Sequence, residues 1–140
     1  MIYKYIAITL LLINGMSAMG GGILLVARPN GQILRLSTDL LAHSPFSDFL
    51  IPGLVLIFFN GLSSLVLAII TIVNSKPSPY FIIAQGIFLT LWIIIQVLMI
   101  RTFDTLQIIF GLIGLLIIFC GIKIKDYLDK EKKENQSVST

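Results

Sequence analysis

The chain has 140 residues, 56% of them hydrophobic and only 12% charged, and its mean hydropathy is +0.97. Soluble domains carry about 25% charged residues, so this composition excludes an ordinary soluble domain and is typical of a membrane protein. The net charge of +3 does not favour a nucleic-acid partner, because the basic residues lie at the ends of hydrophobic runs and in the C-terminal tail. A single cysteine and a single histidine exclude enzymes that need paired cysteines and sites with several histidine ligands. We therefore expect neither a metal nor a cofactor.

The first hydrophobic run predicts a membrane helix over residues 5–27. Its short basic start also fits a signal peptide. However, the run stays apolar for about 23 residues, enough to cross a bilayer, and we expect it to be retained. The pairs Ser17/Gly21 and Ala18/Gly22 have the spacing that lets another helix approach closely.

The longest interruption between hydrophobic runs follows this helix. Its Pro29-Asn30-Gly31 segment is a turn signal. Because the interruption is rich in apolar residues, we expect it to lie on the membrane surface or to fold back over the bundle. Ser44-Pro45 has the pattern of a capping residue followed by proline, which predicts that the second helix covers residues 45–73. Pro52 should kink this helix or loosen its first turns.

Polar residues also occur inside the predicted helices. Asn14, Asn60 and Gln85 lie nearest to the middle of their spans, and we expect Asn14 and Asn60 to hold each other across a helix pair. No charged residue lies in the central part of any span, which disfavours a proton-coupled transporter. The second helix carries one stripe of small and polar residues that should face other helices: Gly53, Asn60, Gly61, Ser64 and Ala68.

Two further runs predict a third helix over residues 80–100 and a fourth over residues 105–122. Asp104, followed three residues later by Gln107, resembles a capping box at the start of the fourth helix. Three glycines of the fourth helix predict a close-packed face: Gly111, Gly114 and Gly121. The fold class is therefore all-α, a bundle of four transmembrane helices with a longer extracytoplasmic loop between the first two.

The predicted domain organisation is a transmembrane domain over residues 1–125 and a charged cytoplasmic tail over residues 126–140. The tail should continue the fourth helix out of the membrane and become disordered from Asn135 onward. Seven of the ten Lys and Arg residues lie on the side that carries both termini, which predicts cytoplasmic termini by the positive-inside rule. All four tyrosines fall at the same helix ends, as in an interfacial aromatic belt.

This orientation brings polar side chains together on the extracytoplasmic side. The candidate binding residues are Arg28, Arg35, Asp39, His43, Asp48, Gln96, Arg101 and Asp104. They can form a polar pocket, or they can be helix caps and surface charges, whose exposed ion pairs contribute only about 0–1 kcal/mol. His43 beside Asp39 or Asp48 is a weaker candidate for acid–base chemistry. Because the chain has no nucleophile motif, phosphate-binding loop or metal-ligand spacing, we assign no catalytic residue and no metal site.

Three segments resemble a widespread group of small, four-helix bacterial membrane proteins that carry no assigned activity. They are Ser44–Leu56, Gly20-Gly21-Gly22 together with Pro29-Asn30-Gly31, and Trp92–Gln96. The resemblance covers most of residues 6–121, and the sequence Pro-Phe-x-Asp-Phe-x-Ile-Pro-Gly within its first segment is the most specific part. The resemblance implies a fold and a bacterial membrane, and it implies no site residues; we expect that membrane to be the inner one.

We expect a non-enzymatic accessory protein that binds a membrane lipid or a partner membrane protein at the extracytoplasmic face. The alternative is a small transporter or channel subunit that acts as a homo-oligomer, with a polar interior at Asn14, Asn60 and Gln85. A membrane enzyme that uses His43 with a neighbouring aspartate is a third, less favoured hypothesis. A continuous polar path would favour transport, a polar cluster confined to the outer end would favour binding, and a His–Asp hydrogen bond in a cleft would favour an enzyme.

Overall fold

Four helices make up most of residues 1–139, the part of the chain that the computed structural model describes. They are α1 (Ile2–Ala27), α2 (Leu50–Val73), α3 (Pro79–Ile100) and α4 (Thr105–Val138). No strand occurs within the described residues, so the predicted all-α, four-helix fold is confirmed. The shortest helix, α3, has 22 residues and extends about 33 Å, against about 30 Å for the hydrocarbon core of a bilayer. All four helices are apolar enough to cross a membrane, which suggests a multi-pass membrane protein.

The start of α1 and the last part of α4 lie at the same end of the bundle, which we call the termini end. Lys4 Nζ in α1 donates a hydrogen bond to Asn74 O, just after α2, at 2.7 Å. Lys76 Nζ, in the connection between α2 and α3, lies 3.1 Å from Glu131 Oε1 in α4. The connection between α2 and α3 therefore belongs to the same end as both of these helix segments.

The opposite end, which we call the loop end, carries the connections 28–49 and 101–104. The longer connection folds back over the bundle, one of the two predicted arrangements. Its residues Leu41 and Phe49 are buried in one cluster with the end of α1. Phe49 N donates a hydrogen bond to Pro29 O at 2.8 Å, so this loop is closed at its base.

Hydrophobic side chains both fill the core and cover the outside of the bundle. The largest fully buried apolar side chains are Leu11, Ile82, Leu89, Ile117 and Ile124. Equally large side chains on the outer faces, such as Ile69, Phe81 and Leu98, are more than half exposed. Helices that are apolar on all sides fit surroundings of lipid rather than water.

Small residues bring α1 and α2 into close contact. A Cβ atom added to Gly22 would lie 2.9 Å from Gly53 O and 2.5 Å from Ile57 Cγ1. Ala18 is buried on the same face, so the predicted Ala18/Gly22 pair is confirmed. Ser17 is exposed, because the contact face of α1 passes through Ala18 and Gly22 instead. The predicted stripe on α2 is also confirmed, since all of its members are buried: Gly53, Asn60, Gly61, Ser64 and Ala68.

The start of α2 differs from the prediction. The helix begins at Leu50 and not near Pro45. Ser44 stabilises a local turn instead, because its hydroxyl accepts a hydrogen bond from the backbone N–H two residues ahead at 3.2 Å. Asp48 Oδ1 accepts a hydrogen bond at 3.0 Å from the backbone N–H of Leu50, the first residue of the helix. Pro52 consequently falls in the first turn, where its missing N–H interrupts no hydrogen bond within the helix.

The end of α4 agrees with the prediction in part. The helix has 34 residues and continues to Val138, so the expected continuation of the fourth helix into the tail is confirmed, whereas the expected disorder from Asn135 onward is wrong. After Gly121 the sequence contains neither proline nor glycine, so nothing in the tail breaks the helix. Thr140, the last residue of the predicted tail, lies outside the described residues.

Candidate functional site

The middle of the bundle contains buried amide groups that bond across helices. Asn14 of α1 is 1% exposed. Its Nδ2 donates a hydrogen bond to Ser64 Oγ of α2 at 2.8 Å and lies 3.5 Å from the backbone carbonyl of Asn60. The predicted contact between Asn14 and Asn60 across the helix pair is therefore present, but it joins the Asn14 amide to the backbone carbonyl of Asn60 and leaves the Asn60 side chain out.

The same part of α2 is a π-helix over Leu56–Leu62. In a π-helix the backbone hydrogen bonds run from i to i+5. Such segments are rare in proteins overall, but those that occur are often located at functional sites. Gln85 of α3 contacts this segment: its Nε2 donates to Phe59 O at 3.2 Å, and its Oε1 accepts from Ser63 Oγ at 2.9 Å. Gln85 thus joins α2 to α3, whereas Asn14 joins α1 to α2.

Asn60 lies inside the π-helix and is the least satisfied polar residue of the bundle. Its side chain is 0% exposed, and neither Nδ2 nor Oδ1 has a hydrogen-bond partner within residues 1–139. A buried polar group without a partner costs about 1–3 kcal/mol. The three predicted interior residues are therefore buried close to the π-helix, but only two of them are bonded through their side chains.

At the loop end, the three candidate aspartates bond to groups close to them in sequence. Asp39 Oδ2 accepts a hydrogen bond from Ser37 Oγ at 3.0 Å, and Asp48 Oδ1 accepts the one from Leu50 N. Asp104 forms the predicted capping box with Gln107, whose Oε1 accepts from Asp104 N at 3.1 Å. None of the three carboxylates pairs with an arginine in the part of the chain that the structure describes.

The three arginines of the loop end are exposed and keep their charge unpaired. Within residues 1–139, the guanidinium groups of Arg28, Arg35 and Arg101 make neither an ion pair nor a side-chain hydrogen bond. Arg35 and Arg101 also adopt the left-handed conformation, with φ of 55° and 57°, and they are the only residues other than glycine that do so in the described chain. A side chain in this conformation costs roughly 1–2 kcal/mol, which glycine would avoid. The fold therefore keeps arginine at two positions where glycine is the more stable residue.

The remaining candidates of the loop end do not come together in a cleft. His43 is exposed and has no hydrogen bond to a carboxylate within the described residues, so the acid–base pair has no supporting geometry. Gln96 is half-buried near the end of α3. No group of three or more His, Cys, Asp or Glu side chains is placed to hold a metal ion among residues 1–139.

A groove between α3 and α4 opens toward the loop end. In the middle of this helix pair the backbones nearly touch, since a Cβ atom added to Gly114 would lie 2.5 Å from Thr90 Oγ1 and 3.2 Å from Gly86 O. One turn closer to the loop end, a Cβ atom on Gly111 would meet only Ile93 Cγ2, at 3.8 Å. A close backbone approach therefore occurs at Gly114 but not at Gly111, so the predicted role of Gly111 in close packing is wrong. The groove beside Gly111 has a volume of about 400 Å³.

Hydrocarbon side chains form almost all of the groove. Its lining residues on α3 and the following turn are Thr90, Ile93, Ile94, Val97, Leu98 and Phe103. Its lining residues on α4 are Gln107, Ile108, Gly111, Leu112 and Leu115. Sequence analysis did not predict this groove, although the glycine spacing on α4 contained a signal for it.

No family model, curated protein or solved structure matches the chain.

Proposed function

We propose that this chain is an integral protein of the bacterial inner membrane that binds anionic phospholipid at its loop end. In this proposal both termini are cytoplasmic and the loop end is extracytoplasmic. The distribution of positive charge supports this orientation, because seven of the ten Lys and Arg residues belong to the termini end. The loop between α1 and α2, closed by the Phe49–Pro29 hydrogen bond, then lies outside the membrane.

The observation that carries the proposal is the state of the loop-end charges. Arg28, Arg35 and Arg101 are exposed and form no ion pair within residues 1–139, so their guanidinium groups are free for a ligand. Guanidinium groups bind phosphate oxygens through two parallel hydrogen bonds, and each basic residue near an anionic membrane surface contributes about 1 kcal/mol. Arg35 and Arg101 occupy left-handed positions at a cost in stability, as expected of residues kept for binding rather than for folding.

The binding test measures which lipids stay with the purified protein. The protein is extracted in mild detergent, and its bound phosphatidylglycerol and phosphatidylethanolamine are quantified by mass spectrometry. Arg35→Gly and Arg101→Gly should each lower retained phosphatidylglycerol roughly five-fold, the equivalent of one basic residue at the surface. Lys130→Ala, which removes an exposed charge at the termini end, is the matched control. Unchanged retention in both arginine variants would overturn the proposal.

The orientation has a separate test. His43→Cys places an exposed thiol at the loop end, and Glu134→Cys places one at the termini end, whereas the native Cys120 is buried. A maleimide reagent that cannot cross membranes should label only the His43→Cys variant in intact spheroplasts. Labelling of Glu134→Cys alone would reverse the proposed orientation.

A second candidate function is a subunit of a small oligomeric transporter or channel. The buried Asn60 side chain favours it, because a polar group without a partner inside a π-helix is a frequent feature of functional positions. Ion and solute flux into proteoliposomes tests this candidate, together with the mass of the protein in nanodiscs. Flux that is lost in Asn60→Leu, from a particle larger than one chain, would favour transport over lipid binding.

A further inference from the structure

We propose that the groove between α3 and α4 holds one acyl chain of the bound phospholipid, with the phosphate at Arg101. This inference rests on the proposed lipid binding and deepens it, since it gives the lipid a defined site in place of a general attraction to the loop end. Three properties of the groove carry it: its shape, its length and the position of Arg101.

The shape of the groove is set by backbone contacts and does not depend on flexible side chains. Gly86, Gly114 and Gly121 hold α3 and α4 together over the middle and the termini end, where an added Cβ atom would meet a backbone oxygen at 2.8, 3.2 and 3.2 Å, respectively. Gly111 has only an ordinary van der Waals contact at 3.8 Å. The groove therefore lies beside Gly111, on the loop-end side of these backbone contacts.

The length of the groove along the helix axis is close to the thickness of the hydrocarbon in one leaflet of a bilayer. Along α3 it runs from Thr90 to Leu98, a rise of about 12 Å, and half of the hydrocarbon core is about 15 Å. The groove begins near the middle of the helices and ends at the loop end. An acyl chain of the outer leaflet would lie along the groove, roughly parallel to the bilayer normal, as the other acyl chains of that leaflet do.

The lining favours hydrocarbon over a polar ligand. Two of its polar atoms are already bonded locally, because Thr90 Oγ1 donates to Gly86 O at 2.9 Å and Gln107 Oε1 accepts from Asp104 N in the capping box. Bonded groups of this kind do not require a polar ligand. A chain of methylene groups satisfies such a surface through van der Waals packing, which is the main driving force for association inside membranes.

The position of Arg101 selects a lipid with an anionic headgroup. It lies in the short connection between α3 and α4, directly after the last turn of α3, and its side chain is exposed and unpaired within residues 1–139. The neighbouring Phe103 lines the groove and is 81% exposed. The headgroup of a lipid whose acyl chain lies in the groove would therefore lie at the connection that carries Arg101, and a guanidinium group is suited to bind its phosphate.

The test fills the groove and measures acyl-chain contact directly. The probe is phosphatidylglycerol with a photoreactive diazirine in one acyl chain, incorporated into nanodiscs with the full-length protein. Crosslinked positions are mapped by peptide mass spectrometry. In the wild type we expect crosslinks to concentrate within residues 90–98 and 107–115. In Gly111→Leu this signal should fall about ten-fold, because a filled groove leaves only the surface contacts that any lipid makes.

Two matched controls separate loss of the groove from loss of the fold. Gly20→Leu adds the same side chain where an added Cβ atom has no neighbour within 4 Å among the described residues, and its crosslinks should match the wild type. Leu115→Trp fills the groove from a second position, whereas Leu116→Trp places the same ring on an exposed face outside it. Only the Leu115 variant should lose the groove crosslinks.

The outcomes distinguish this inference from the proposed function. Groove crosslinks that are unchanged in Gly111→Leu and Leu115→Trp, or that spread evenly over all exposed helix faces, would overturn the acyl-chain site. Retained phosphatidylglycerol could still depend on the arginines in that case. Conversely, a phosphatidylethanolamine probe that labels the groove equally well, with no effect of Arg101→Gly, would overturn the role of Arg101 and the selection of anionic lipid.

Discussion

The Asn14 side-chain amide donates a hydrogen bond to the Ser64 hydroxyl across 2.8 Å, and this bond links α1 to α2 in the buried centre of the bundle. Hydrogen bonds between membrane helices contribute about 0.6 kcal/mol on average and at most about 1.7 kcal/mol. We expect Ser64→Ala to lower the free energy of unfolding by about 1 kcal/mol, because it leaves the Asn14 amide with only the longer contact to a carbonyl. Fluorescence of the single tryptophan, Trp92, during a dodecyl sulfate titration provides the measurement.

A double-mutant cycle isolates this interaction. If Asn14 and Ser64 bond each other, Asn14→Ala should cost less stability in the Ser64→Ala background than in the wild type. Additive effects would show that the two residues contribute through separate contacts. The control is Ser17→Ala, which removes an exposed hydroxyl from α1 and should change the stability by less than about 0.5 kcal/mol.

Replacement of Asn60 by leucine should stabilise the protein. The asparagine side chain is buried without a partner within residues 1–139, so its removal relieves a cost of about 1–3 kcal/mol. The different shape of leucine should offset part of this gain in the free energy of unfolding. The same titration measures the effect. A loss of more than about 1 kcal/mol would show that the Asn60 amide has a partner in the membrane, and it would direct attention to the transport alternative.

Two glycines should respond in opposite ways to the same substitution. Gly114→Ala places a Cβ atom 2.5 Å from Thr90 Oγ1 and 3.2 Å from a backbone oxygen, so we expect a loss of about 1–3 kcal/mol from overpacking. Gly20→Ala meets no neighbour within 4 Å among the described residues and should gain up to about 1 kcal/mol from helix propensity. Thermal inactivation in detergent, measured as loss of the monodisperse peak, ranks the two variants against the wild type. Equal behaviour of the two would contradict the close α3–α4 contact.

Arg101 should show opposed effects on stability and binding. Its φ of 57° costs roughly 1–2 kcal/mol for any residue with a Cβ atom, so Arg101→Gly should be more stable than the wild type and Arg101→Ala should not. Both variants should lose bound phosphatidylglycerol to the same extent, because both lack the guanidinium group. If the glycine variant kept the lipid, the residue would serve only as a helix cap.

The helices themselves were predictable because each one is a long apolar run with clear stops. The predicted bounds of the third helix agree with the observed ones to within one residue, since Ser78-Pro79 starts the helix and Arg101 ends it. The start of α2 was misplaced because Ser44-Pro45 has the same pattern as Ser78-Pro79. A serine that caps a helix and a serine that closes a tight turn both accept a backbone hydrogen bond, so local sequence does not separate them.

The groove could have been predicted from the sequence, whereas the π-helix could not. Gly114 and Gly121 are seven residues apart and so share one face of α4, whereas Gly111 is rotated from that face by about 60° at 100° per residue. Gly111 therefore lies toward the edge of this face, and it lines the groove. The π-helix at Leu56–Leu62 carries no such signal, because its extra residue is accommodated by contacts with two other helices that are distant in sequence.

The long, uninterrupted α4 makes the two ends of the bundle mechanically dependent on each other. Two close contacts hold α4 to α3: Gly114, about 10 Å along the axis from Gln107 at the groove mouth, and Gly121, about 10 Å further toward the charged end. A tilt of α4 about Gly114 that narrows the groove would move Gly121 away from α3. The exposed Lys76–Glu131 ion pair resists this movement with only about 0–1 kcal/mol. The main resistance comes instead from the tight contact of Gly121 with Ile83 and Pro79, so the width of the groove is set in part by packing on the other side of Gly114.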